Sequence, residues 1–197
     1  MQNESRQGKL HRYQSWNIIF DDFNNSKDAD FLARSLTIYL ASWGMMRGSS
    51  KLLKVYNYKV HIDLMKELLQ NDLDGLRKYP KNEKMLQDYI QRSIQIKEIV
   101  KRYYTSYEDD KGEKTPPSDT LISKILLGVT GSMPAFDRNF KIFLREKGIE
   151  QTISEKSLTE IWRMYFDNKR NLKKYERSYP PMKLIDMAGF QYGKPND

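Results

Sequence analysis

Residues 81–104, KNEKMLQDYIQRSIQIKEIVKRYY, decide the fold class. Met85, Leu86, Tyr89, Ile90, Ile96, Ile99, Val100 and Tyr103 recur at three- and four-residue spacing. That spacing draws a broad apolar face along an α-helix and does not alternate as a strand does. Pro80 stops whatever precedes the segment, and Lys81 to Tyr104 is expected to be the longest helix of the chain.

Toward the N-terminus the same period continues. Tyr13 to Phe23 carries Trp16, Ile19, Phe20 and Phe23 on one side, and Asn24-Asn25-Ser26 is expected to supply a turn and the next N-cap. The helix that follows runs to about Trp43, with Leu32, Leu36, Tyr39, Leu40 and Trp43 in one stripe and Gly44 as its C-terminal cap. Ser49-Ser50 is expected to start a further helical stretch reaching Leu69. Toward the C-terminus, Ser118 caps a helix containing Leu121, Ile122, Ile125, Leu126 and Val129, ended by Gly128 and Gly131. Pro134 is placed in the first turn of a helix through Lys147, closed by Gly148. Ser157-Leu158-Thr159-Glu160 reads as a capping box, Pro180-Pro181 as a break, and Met182 to Met187 as a last short helix ending at Gly189. No segment alternates with β-branched residues. The expectation is a compact all-α bundle of about seven or eight helices.

Residues 107–117, YEDDKGEKTPP, are charged, carry a glycine and a proline pair, and offer no apolar anchor after Tyr107. They read as an exposed loop between two helical halves. Each half alone is small for an independent core, so residues 1–197 are expected to form a single domain.

The chain has 197 residues, 39% of them hydrophobic and 30% charged, with mean hydropathy −0.78. No apolar run approaches the roughly 20 residues that cross a bilayer. The stretch Met1 to Lys9 is polar and is not a signal peptide. A cytoplasmic chain without membrane association is therefore expected. With no cysteine, thiolate catalysis, disulfides, iron–sulfur clusters and cysteine zinc sites are excluded. His11 and His61 are the only histidines and neither lies in a ligand pattern, so no metal or other cofactor is expected; a carboxylate-only site for a hard cation stays open but has no spacing to support it. The net charge of +8 favours an anionic partner: DNA or RNA, an acidic protein, or anionic lipid.

Two basic surfaces are candidates for contact with nucleic acid. In the helix after Pro134, Arg138, Lys141 and Arg145 lie opposite Met133, Phe136, Phe140, Phe143 and Leu144, with Asp137 at the border. In the helix after Ser157, Arg163, Arg170, Lys174 and Arg177 share a face near Tyr175 and Tyr179. Cations neutralise phosphates and aromatic faces stack on unpaired bases. A solvated charged face explains the same residues equally well. For Asp137 the plain alternative is an i, i+4 pair with Lys141 in the first turn of its helix. Between Trp43 and Lys51, Gly44, Gly48, Ser49, Ser50 and Lys51 are in the wrong order for a P-loop. They read as a capped helix start, with anion capture by the amides of Gly48 to Ser50 beside Arg47 as the alternative.

The run Leu127-Gly128-Val129 with Gly131, followed by Pro134-Ala135-Phe136-Asp137, Phe140, Phe143, Arg145 and Gly148, resembles the core of helix-hairpin-helix DNA glycosylases. That resemblance implies a helix-hairpin-helix element in which Gly128, Val129 and Gly131 meet the DNA backbone, and Asp137 as the catalytic aspartate of base removal. The interval between hairpin and aspartate is shorter than in that family, and the hairpin has no lysine where the family's imine chemistry needs one. Blocks 40–50 and 179–187 also resemble an uncharacterised bacterial all-helical family, which implies no activity. The expected function is thus nucleic-acid binding of a DNA-glycosylase-like kind. The alternative is a non-enzymatic helical interaction protein, an accessory or defence-system component that binds an acidic protein partner.

Overall fold

The computed structural model describes residues 14–46, 54–71 and 73–194, and over these the chain is helical without strands. The helices are α1 (Ser15–Asn25), α2 (Ala29–Ser42), α3 (Ile62–Gln70), α4 (Leu73–Arg77), α5 (Leu86–Thr105), α6 (Asp119–Val129), α7 (Arg138–Glu146), α8 (Glu155–Leu172) and α9 (Pro181–Tyr192). Short 3₁₀ turns precede α3 and α5 and follow α8. The 20-residue α5 is the longest, as its apolar period requires. It packs against α8 and α6, while α1, α2 and α6 form a second contact group and α9 lies against α7 and α8. The core runs through all of them, from Trp16 and Leu36 to Val100, Ile125, Phe140 and Trp162. Among the described residues no helix is long and apolar enough to cross a membrane.

Several element ends differ from the sequence expectation, each because a different side chain reaches the free amides. The cap of α2 is Asp28, which accepts from the amides of Asp30 and Phe31; Ser26 accepts from Asp28. A carboxylate there also meets the positive end of the helix dipole. The capping box of α8 starts at Ser154, not Ser157, with Ser157 in the place usually held by glutamate. The Ile153 amide donates to Asp119 Oδ2 at 3.0 Å, which fixes where the chain enters that helix. The stretch expected to run unbroken to Leu69 is interrupted at Tyr56 and Asn57, where Asn57 caps a 3₁₀ turn. Its expected start at Ser49-Ser50 lies outside the described residues. Pro134 does not open α7: residues 131–136 form a buried connection and Asp137 is the N-cap. Loop 107–117 is largely exposed, organised by Asp109, whose carboxylate accepts from the amides of Lys111 and Glu113.

Gly189, expected to end the last helix, lies inside it. A Cβ there would stand 2.5 Å from Phe140 Cδ2 and 2.8 Å from Phe143 Cδ1. The glycine lets α9 settle directly onto the aromatic face of α7. Gly189→Ala is expected to destabilise the fold by about 1–3 kcal/mol through overpacking. A urea midpoint unchanged from the parent chain would mean that the two helices do not meet there.

Candidate functional site

Two Lys–Asp pairs are buried together where α2, α6, α9 and the connection before α7 converge. Helix α6 is submerged on every side from Leu121 to Val129, so Lys124 is almost wholly enclosed, at 5% exposed. Its ammonium lies 3.3 Å from Asp137 Oδ2. The other oxygen of Asp137 accepts from the Phe140 amide at 3.1 Å and caps α7. In α9, Lys183 and Asp186 stand one turn apart and pair at 3.0 Å, both nearly buried. Asp186 Oδ1 takes the Ala135 amide at 2.9 Å.

These bonds strap down the connection that delivers Asp137. Phe136 donates its amide to Ser123 Oγ at 2.8 Å, and its carbonyl accepts from Thr120 Oγ1 at 2.8 Å. The segment from Gly131 to Phe136 is therefore held by side chains of α6 and α9 on either side. The buried amides of Ala135 and Phe136 thus both find side-chain partners. The carboxylate of Asp137 is thereby set by a rigid frame.

Aromatic rings close the site. Lys124 Nζ lies 4.8 Å from the ring centre of Trp43, and Lys183 Nζ lies 6.0 Å from the same ring and 5.6 Å from that of Trp16. Both cations thus gain from the negative faces of indoles. The Trp16 indole N–H donates to Leu127 O at 2.8 Å and anchors α1 beside the site. Burial pushes the Tyr39 hydroxyl well above the usual tyrosine range, reinforced by Asp186 and then Asp137. It stays a neutral phenol. Tyr39, Trp43, Lys124, Asp137, Lys183 and Asp186 line a cavity of about 10 Å³, the scale of a single water molecule.

A second concavity, of about 490 Å³, lies between the C-terminal part of α8, the segment leading to α9, and the α1 and α4 edges. Phe20, Tyr79, Tyr165 and Tyr179 line it together with Arg77 and Arg177.

The residues singled out from the sequence are divided among these places. Asp137 is drawn inward to Lys124 and makes no ion pair with Lys141. Arg138 and Arg145 are exposed, Lys141 is half-buried, and Arg145 Nε lies 3.8 Å from Glu146. Gly128 is buried under Tyr39 and Ile19, where an added Cβ would be 3.1 Å from the tyrosine ring. Gly131 has φ +65° and would press a Cβ to 2.9 Å from Pro180 and the Tyr79 hydroxyl. Close packing inside the chain accounts for both glycines. Arg163 reaches Glu83 at 3.9 Å, Arg170 is exposed, and Lys174 covers the Tyr175 ring at 4.9 Å. Arg177 alone of these lines the large cleft. Arg47, Gly48, Ser49, Ser50 and Lys51 lie outside the described residues, as does His11.

Sequence reasoning missed Lys124, Lys183 and Asp186. The signal was present: each is a charge inside an otherwise apolar helical run, Leu121 to Val129 and Met182 to Met187. Charges flanked by core residues on both sides must pair within the fold. Among the described residues, no group of three or more histidines and carboxylates is placed to hold a metal ion.

Comparison with known protein families, characterised proteins and solved structures finds no match to this chain. The reading of the site therefore rests on its geometry.

Proposed function

We propose that the protein binds nucleic acid and that Asp137, held by Lys124, is the reactive carboxylate of a glycosylase-like base removal. The observation that carries this reading is the burial of Asp137 against Lys124 in a cluster of four charges. A buried ion pair is a poor source of stability, since an apolar pair of the same volume does as well. Active sites are among the places where charges from distant segments are buried together, as these four are. When an N-glycosidic bond lengthens, positive charge develops on the sugar, and a fixed carboxylate stabilises it. Water then adds to C1′ while the base departs with the bonding electrons, the water's proton passing through Asp137 to the leaving base; the space beside Asp137 holds about one water in the packed fold, so this step requires the α2 and α9 walls to part and admit the nucleotide. Lys124, 3.3 Å from Oδ2, is a positioning residue that aims the carboxylate. Arg138, exposed next to Asp137, and Arg145, exposed two turns further along α7, are the cations offered to phosphate.

The test uses fluorescently labelled single- and double-stranded DNA carrying a panel of damaged bases. Binding at low salt should weaken steeply as salt rises, by about tenfold per few phosphates neutralised. Base release should fall by about 10²-fold or more in Asp137→Asn and in the charge-free pair Lys124→Met/Asp137→Asn, with binding retained. Undiminished base release in either variant removes Asp137 from the reaction. Absence of binding at low salt removes nucleic acid.

A second reading is favoured by one surface. Phe31 and Ile38, 44% and 65% exposed, lie two turns apart on α2 with the exposed Arg34 between them. Arg34 is itself paired with Asp30 at 2.6 Å, so what this surface offers is chiefly the apolar stripe, which fits the interaction-protein alternative in which the partner is an acidic protein. Such a contact should survive salt that abolishes binding to nucleic acid.

A further inference from the structure

The large cleft combines features that no packing requirement explains. Its walls are rings from four segments of the chain: Phe20 on α1, Tyr79 after α4, Tyr165 in the second half of α8, and Tyr179 in the segment leading to α9. Phe20 is stacked on Trp16 at 4.7 Å and 22°, so its ring is fixed from behind. Tyr79 is fixed by its hydroxyl, which donates to Thr130 O at 3.1 Å. Both present aromatic surface in a defined orientation. At about 490 Å³ the space falls within the range of pockets that enclose small ligands, about 300–1,000 Å³.

Two guanidinium groups add charge. Arg77 is held in the wall, where its Nη2 donates to Val129 O at 2.7 Å and its guanidinium lies 5.9 Å from the Phe20 ring. Its Nε is buried and has no hydrogen-bond partner among the described residues. Asp74 is its nearest carboxylate, at 3.7 Å, and is itself mostly in water. A cation so poorly compensated and so poorly hydrated attracts an anion strongly. Arg177 is exposed at the rim. Glu176 lines the same space and is engaged through Oε1 by the Tyr165 hydroxyl at 2.6 Å. A carboxylate held in that way accepts from an exocyclic amino group.

We infer that this cleft binds one unstacked nucleotide, its base between the aromatic walls and its phosphate toward Arg77 and Arg177. The chemistry is a planar ring with an amino edge and an anionic tail. It is common to a free nucleotide and to a residue of a single strand. The site is separate from the Lys124–Asp137 centre and stands without the base-removal reading.

The experiment measures binding of dAMP, adenosine and inorganic phosphate by isothermal titration calorimetry, with competition by a ten-residue oligo-dA. dAMP is expected to bind more tightly than adenosine or phosphate alone. Tyr179→Ala should weaken dAMP by about fivefold or more through lost stacking. Arg177→Glu should weaken it by about tenfold or more, and because Arg177 is at the surface that variant keeps the fold. Lys124→Met/Asp137→Asn should bind dAMP as the parent does, which separates this site from the proposed chemistry. Competition by oligo-dA assigns the cleft to a strand, and absence of competition assigns it to free nucleotide. No saturable dAMP binding, or dAMP binding equal in the parent and in Arg177→Glu, overturns the inference.

Discussion

Lys124→Met is expected to lower the folding free energy by about 3 kcal/mol at neutral pH, whereas the double replacement Lys124→Met/Asp137→Asn should return to within about 1 kcal/mol of the parent. The single change leaves the Asp137 carboxylate without its cation in a site where its side chain is only 17% exposed. The Phe140 amide and the start of α7 compensate part of that charge, which places the cost at the lower end of the range for broken buried pairs. Methionine fills the space of the lysine stem and keeps contact with Trp43, so no cavity complicates the comparison. In the double variant asparagine still accepts the Phe140 amide and caps α7. The charge is gone and the packing remains.

Chemical denaturation of the four chains of this cycle gives the coupling energy directly. A coupling of about 2 kcal/mol or more, with the double variant stable, means that the pair is dispensable to the fold once both partners are removed. The charges then have to be explained by what they do. A double variant as unstable as the single one would instead make the pair a structural support and would weaken the case for chemistry at Asp137. The same double variant is the folded control for base release, so stability and activity are read from one protein.

Much of the fold was legible because helix period is a local property. The stripe along α5, the Ser118 cap of α6 and the left-handed Gly44 and Gly148 all follow from residues within one or two turns. What escaped depended on distant partners. Ser157-x-x-Glu160 matches the capping template, yet the chain enters α8 through Ile153, whose amide is taken by Asp119 34 residues earlier, and Ser154 becomes the cap. Pro134 is compatible with a helix start, but the amides of Ala135 and Phe136 are claimed by Asp186 and Ser123. The site divides in the same manner. Asp137 could be suspected from its neighbours in sequence. The apolar flanks of Lys124 signal that it must pair inside the fold, but not with which carboxylate; only the packing of α6 against the connection before α7 selects Asp137 over a pair with Lys141. The aromatic cleft draws on four segments and has no local signature.

Acidification from neutral pH to about pH 4 should cost the fold about 3 kcal/mol through His61 alone. The ring is fully buried beneath α5, with Nδ1 2.5 Å from the Tyr104 hydroxyl and Nε2 without a hydrogen-bond partner among the described residues. Burial pushes its pKa down from 6.5 to about 4. Tyr104 offers no compensating charge, because burial also drives its own pKa well above the usual range. The unfolded chain therefore takes up a proton near pH 6.5 that the folded chain refuses until about pH 4. In that window the unfolded state binds more protons, so stability falls as pH falls. The contribution is fully present above pH 6.5. Urea denaturation between pH 7.5 and 4.5 reads the effect, and His61→Gln isolates it, since glutamine can keep a hydrogen bond to Tyr104 without titrating. The variant should start less stable at pH 7.5 and lose distinctly less on acidification. Parallel profiles for the two proteins would mean that His61 is hydrated or protonated in the folded chain. Because the residue stabilises only through its neutral form, nucleotide binding by the folded variant at pH 7.5 should match that of the parent.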